Sequence, residues 1–290
     1  MPLSQGLQIL KSYSQLNYRL WDLGKVKKIV FKMNKLKILL MIALFAILGG
    51  SKSNAQTDFS IHLGFVSPQG TYSDSYAQQE IFALLSDTER AGAGFGVNLG
   101  AKFRYAISSA KGLGIIATAD VLLNDVNKDV KEWVKDREKE VLERDYVEDI
   151  SFTTSKYINI PIMIGLNYEY QFGNNGIKLF GEVEGGFNLG IITDLKATAK
   201  INDHIDDVGV SNEYYKYEPN TSFAFQIGAG IMFSDKYSLG IHYYNLGSQK
   251  IKGEIIEEEI FDGDIDTEKE KFSGATINPS MLTIKLGYHF

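Results

Sequence analysis

Cysteine is absent from all 290 residues, which excludes disulfide staples and thiolate metal sites. Proline is scarce at five residues, and the apolar run from Ile38 to Leu48 falls well short of the roughly 20 residues that a membrane-spanning helix needs. No Gly-x-Ser-x-Gly nucleophile motif occurs, and the four histidines are scattered at positions 62, 204, 242 and 289. What is present is a 44% hydrophobic share, 12% aromatics and 28 glycines, the composition of a folded chain and not of a disordered one.

The run from Ile38 to Leu48 follows a basic stretch, Met33 to Lys37, and precedes the small and polar Gly49 to Ala55. Basic head, short apolar core and small-residue tail together read as a secretory signal peptide, with Ser53 and Ala55 placing cleavage before Gln56. No cysteine follows that site, so a lipoprotein anchor is excluded. Residues 1–32 resemble neither a signal head nor a domain and read as an upstream extension from a mis-assigned start; a genuine extended leader is the alternative. The chain thus divides into 1–32, a signal peptide at 33–55 and a mature body at 56–290. That body carries 21 basic against 35 acidic residues, a net charge of −14, which speaks against nucleic acid as a partner.

The mature body alternates apolar and other residues with period 2, the signature of β-strands. Eight such segments run from Asp58 to Val66, Gly94 to Tyr105, Leu113 to Asn124, Tyr157 to Tyr170, Ile177 to Ile191, Ser222 to Phe233, Tyr237 to Leu246 and Ser280 to Phe290. In the last of them Leu282, Ile284, Leu286, Tyr288 and Phe290 share one face, while Thr283, Lys285, Gly287 and His289 share the other. Short links near residues 108–112, 172–176 and 234–236 alternate with four long ones, the asymmetry of outer-membrane barrels. Aromatic residues gather at strand ends, among them Tyr105, Tyr168, Tyr170, Phe233, Tyr237 and Tyr288, as a membrane interface requires. A soluble lipocalin-like barrel shares the period but points its apolar face inward; link lengths, aromatic girdles and the terminal aromatic favour the membrane. The expected fold is therefore all-β: an eight-stranded antiparallel up-and-down transmembrane β-barrel with short periplasmic turns and long extracellular loops.

The stretch Asn54-Ala55-Gln56, the opening Phe59-Ser60-Ile61-His62-Leu63-Gly64, the segment Tyr157-Ile158-Asn159-Ile160-Pro161-Ile162-Met163 and the ending Leu286-Gly287-Tyr288-His289-Phe290 resemble the outer-membrane β-barrel domain family of PorT-like and small porin-family proteins. The resemblance spans Gln56 to Phe290. It implies a barrel in the outer membrane of a Gram-negative cell, with links in some members to protein secretion or surface attachment, and it carries no catalytic residue. It also implies that the barrel-assembly machinery reads Leu286, Tyr288 and Phe290 as a C-terminal signal.

Eight strands enclose just enough room for side chains, so polar residues pointing inward must satisfy one another. His62, Lys102, Asn167, Glu182, His242 and Lys285 fall in one layer, with Asp120, Glu184 and Gln226 above. Two readings stay open, a structural plug of ion pairs and a path for protons or ions. Residues 124–149 place Val126, Val130, Trp133, Val134, Val141 and Leu142 at helical spacing, a surface helix that packs on the rim or offers Trp133 to a partner. Asp262, Asp264, Asp266 and Glu268 are spaced like the start of a calcium loop, without its glycine at position six or glutamate at position twelve. His204 lies in an acidic loop with no nucleophile motif, so neither catalysis nor a cofactor is expected. The expected role is structural or surface-interacting, in contact with lipid and with a surface or secretion partner; a narrow channel is the alternative, and a lipid-active enzyme is third.

Overall fold

The computed structural model describes residues 57–74, 90–143, 147–173, 176–203, 207–261 and 264–290. The expected upstream extension and signal peptide lie outside these residues, as does His204. In chain order the described residues form β1 (Thr57–Gln69), β2 (Ala93–Ala106), β3 (Leu113–Val126), α1 (Lys128–Leu142), β4 (Val147–Thr153), β5 (Tyr157–Phe172), β6 (Ile177–Ile192), β7 (Leu195–Asp203), β8 (Asp207–Tyr217), β9 (Asn220–Phe233), β10 (Tyr237–Asn245), β11 (Gln249–Phe261), β12 (Asp264–Ile277) and β13 (Ser280–His289).

Eight strands close into an antiparallel barrel in the order β1-β13-β10-β9-β6-β5-β3-β2, each paired with its sequence neighbours in the barrel. The ring is completed by β1 against β13, from Ser60 opposite His289 to Gln69 opposite Ser280. All eight match the segments expected from the period-2 pattern, within three residues at each boundary. Burial alternates along them without a break in β13, where every second residue from Met281 to His289 is buried and those between are exposed.

The faces are inverted relative to a soluble barrel. Leu99, Leu63, Leu286, Leu239, Ile231 and Leu179 lie opposite one another across six adjacent strands, and all are exposed. A soluble monomer seldom exposes more than a few hundred Å² of contiguous apolar surface, whereas this belt circles the barrel. Tyr168, Tyr170, Phe172, Phe233, Tyr237 and Phe290 border it at the turn end, and Phe65, Phe95, Phe187 and Phe223 border it at the other. Apolar belt, aromatic rims and polar interior are the architecture of a transmembrane β-barrel.

Long links that the sequence reading treated as loops hold a second sheet, in the order β12-β11-β8-β7-β4. The helix expected within 124–149 is α1. Asn127 caps it, its Oδ1 accepting a hydrogen bond from the Val130 N–H at 3.0 Å, and Val134 is buried while Trp133 is half-buried. Its glutamate Glu138 accepts a hydrogen bond from the Phe152 N–H of β4 at 3.2 Å, so α1 lies against the second sheet while Val130 packs on the rim. Where the two sheets meet, Tyr72, Tyr157, Leu246, Ile251, Ile277 and Met281 form part of an apolar core at the loop end of the barrel.

Two equally exposed residues test the membrane assignment, since Leu286 in the belt is 61% exposed and Ile265 in β12 is 60% exposed. Leu286→Arg should destabilise the barrel by about 2–4 kcal/mol in lipid, and Ile265→Arg should change stability by less than about 0.5 kcal/mol. Urea unfolding in bilayers, followed by the mobility difference between folded and boiled protein, reads both; equal effects would mean that the belt meets water.

Candidate functional site

Inside the barrel the side chains build two rows of the same design. His62 on β1 and Asp120 on β3 stand on either side of Gly100 of β2, which is the register partner of both. His242 on β10 and Glu182 on β6 flank Gly228 of β9 in the same way. A Cβ at Gly100 would overlap both Asp120 and His62, and one at Gly228 would overlap the His242 ring. Glycine on the middle strand therefore lets each histidine lean across to its acid, at 2.5 Å for His62–Asp120 and 2.8 Å for His242–Glu182.

Lysines complete the neutralisation. Lys285 lies 3.3 Å from Asp120, which also accepts from Asn98 at 2.9 Å and from the Tyr244 hydroxyl at 2.8 Å. Lys102 reaches Glu182 at 2.5 Å, with its ammonium 5.5 Å from the centre of the Phe180 ring. Glu184 accepts from Thr118 at 2.7 Å and from Gln226, which also donates to Glu182 at 3.3 Å. Asp120, Glu182, Glu184, His62, His242 and Lys285 are all buried.

Asn167, grouped with these residues from its height along the strand, sits apart from the ion pairs. It accepts a hydrogen bond from Arg104 Nε at 2.7 Å in a separate cluster near the turns, where Arg104 also pairs with Glu169 at 3.0 Å and Lys178 pairs with Asp235 at 2.6 Å. Sequence reasoning left Arg104, Glu169 and Tyr244 out of the lumen cluster, although each has the inward parity of its strand. It missed a third cluster too: His289 places Nδ1 2.8 Å from Asp58 and Nε2 3.0 Å from the Ser238 Oγ. The order serine, histidine, aspartate is that of a hydrolase triad. Ser238, however, pairs with Gly287 on one side and Met232 on the other, within the ladders of β13 and β9. The cluster instead laces the last strand to β1 and β10.

The C-terminal residues Leu286, Tyr288 and Phe290 are exposed on the outside of the barrel. Tyr288 and Phe290 meet edge to face at 5.0 Å, and Phe290 reaches Phe59 of β1 at 5.7 Å.

The second sheet carries charge of another kind. Glu213 of β8, Glu257 of β11 and Glu268 of β12 are successive register partners, so three carboxylates line one row; Glu259 and Asp266 form the next. Like charges placed directly opposite destabilise a sheet. Burial raises the Glu213 carboxyl above its usual 4.5, the Glu257 charge adds to this, and the Tyr215 hydroxyl hydrogen-bonded to it opposes. Of the residues whose spacing suggested a calcium loop, Asp262 lies outside the described residues, and Asp264, Asp266 and Glu268 belong to β12, where they share a face but are spread along an extended strand. Among the described residues no group of histidines and acids converges as a metal site.

Two outcomes follow. Lys102→Met leaves the buried Glu182 without its lysine and should cost about 3–5 kcal/mol, while Glu182→Leu added to it should restore most of the loss; urea unfolding of the single and double variants measures this. The raised Glu213 means that its stabilising contribution is complete below about pH 4.5 and is lost as pH rises through the folded value. Amide exchange in β8, corrected for intrinsic rates, should show greater protection at pH 4 than at pH 8, and Glu213→Gln should flatten the difference.

No family model and no curated protein matches the chain. Among solved structures it is similar to Ail, the attachment invasion locus protein of Yersinia pestis, at 14% identity over 81% of this chain and 99% of that one, with a TM-score of 0.33. A major outer membrane protein from Thermus thermophilus is 14% identical over 82% and 100% of the two chains, TM-score 0.29. An outer membrane channel from Pseudomonas putida is 8% identical over 83% and 98%, TM-score 0.27.

Proposed function

We propose that this chain is an integral outer-membrane β-barrel without catalysis, serving as a structural or surface-interaction protein, and that the second sheet is the part that works. In this reading residues 33–55 direct export, the mature chain begins at Gln56, the short turns face the periplasm and the second sheet stands outside the cell. The observation that carries it is a contrast. The lumen is filled by acids and bases paired with one another under an apolar core, while an ordered five-stranded sheet extends beyond the belt. A plugged barrel moves nothing, and a sheet held in water above a membrane presents a surface.

The partners of this reading are lipid around the belt and the barrel-assembly machinery, which reads Leu286, Tyr288 and Phe290 while β13 is still an open edge. A place among PorT-like barrels and a part in secretion belong to the same proposal, with an exported protein as the surface partner. Neither cofactor nor catalysis is required.

The cysteine-free sequence makes the test direct. Thr267→Cys should react with a membrane-impermeant maleimide on intact cells, and Ser108→Cys should react only after the outer membrane is breached. Purified protein in planar bilayers should show no discrete conductance steps. Steps that grow when Gly-flanked pairs are broken by Asp120→Ala would replace this reading by the narrow channel.

A further inference from the structure

The second sheet ends differently on its two sides. At β4 the edge lies against α1, and Glu138 takes up the Phe152 N–H. At β12 the ladder to β11 occupies one side, and among the described residues no strand pairs with the other. The eight residues from Asp264 to Lys271 are all exposed. A long strand with no neighbouring strand on one side among the described residues is a template for another strand.

Side-chain parity says which strand fits. The even positions Asp266, Glu268 and Glu270 point to one face of the sheet and continue the acidic row of Glu257 and Glu259 on β11. The odd positions Ile265, Thr267, Lys269 and Lys271 point to the other and carry no acid. Two copies of β12 paired antiparallel about a twofold axis would keep their faces on the same sides, so residues of like parity would meet. Registers centred on the acidic stretch set acid against acid: Glu268 against itself together with Asp266 against Glu270, or, one step along, Asp266 against Glu268. Self-pairing at this edge is therefore opposed by charge, and so is pairing with any acidic strand.

Resting on the surface-interaction reading, we propose that the open edge of β12 binds an extended basic segment of another protein by strand addition. The partner carries Lys or Arg at every second position, facing Asp266, Glu268 and Glu270, with neutral or acidic residues between them. Main-chain hydrogen bonds to β12 hold it, and the alternation selects it, since a strand of the opposite phase would bring its basic residues to the Lys269 and Lys271 face.

The test uses full-length mature protein in lipid nanodiscs and a fluorescent peptide alternating lysine and threonine. Its controls are an isomer with the lysines in one block and an alternating peptide with backbone N-methyl groups at every second residue. The alternating peptide should bind roughly tenfold more tightly than either control, weakening as salt rises. The combined variant Asp266→Asn, Glu268→Gln, Glu270→Gln should lose that preference while keeping the heat-dependent gel mobility of a folded barrel. Equal binding of all three peptides would overturn strand addition and leave charge attraction alone. Calcium binding abolished by the same variant, or a dimer in sedimentation lost with it, would assign the edge to a cation or to a second copy and overturn the proposal. Conductance in planar bilayers reads the surface-interaction reading separately, so failure of one is distinguishable from failure of the other.

Discussion

A strand inside hydrocarbon has no water to satisfy an unpaired N–H or C=O, and each such group left bare costs several kcal/mol. Within the belt the sheet must therefore close on itself, and the pairing of β1 with β13 is the contact that closes it. Everything else follows from the size of the ring. Eight strands fix a radius at which opposing side chains touch, so inward residues must fill the space and neutralise one another. The paired acids and bases of the lumen are the consequence of closure. Gly100 and Gly228 are in turn the consequence of those pairs, since a histidine can reach an acid two strands away only over a residue without a Cβ.

Beyond the belt the constraint lifts. Water satisfies an open edge, and the strands that leave the barrel form a sheet with two ends instead of a ring. The same chemistry then has opposite meanings on the two levels. Acids in the lumen are matched by Lys102, Lys285 and two histidines, whereas acids on β8, β11 and β12 are stacked against one another.

The barrel was legible because lipid on one side and side chains on the other impose a strict period of two, and every strand from β1 to β13 that crosses the belt obeys it. The second sheet was not legible, because charge interrupts its apolar positions: Tyr215 and Ile256 are buried, yet acids and lysines stand on either side of them in the chain. Glu257, Glu258 and Glu259 run consecutively through β11, and residues 264–271 of β12 hold a single large apolar side chain, Ile265. Within the lumen, parity correctly gave which residues point inward, but heights counted along each strand did not give their partners. Strands in a closed barrel are tilted and staggered, so Asp120 meets His62 across Gly100, and Asn167 meets Arg104 instead of the ion pairs around Glu182.

Chain order gives the closing strand a special burden. The other barrel pairings join barrel strands that follow one another along the chain, whereas β1 and β13 bring together residues as far apart as Ser60 and His289. Loop closure over such a separation is the pairing with the largest entropy cost, and local hairpins form without it. Side chains add to the backbone ladder at this seam on both of its faces. Inside, His289 touches Asp58 on β1 and Ser238 on β10; outside, Phe290 packs against Phe59. The contacts of His289 with Asp58 and of Phe290 with Phe59 form only once the ring is complete, so they stabilise the closed barrel without stabilising any open arrangement of the same strands.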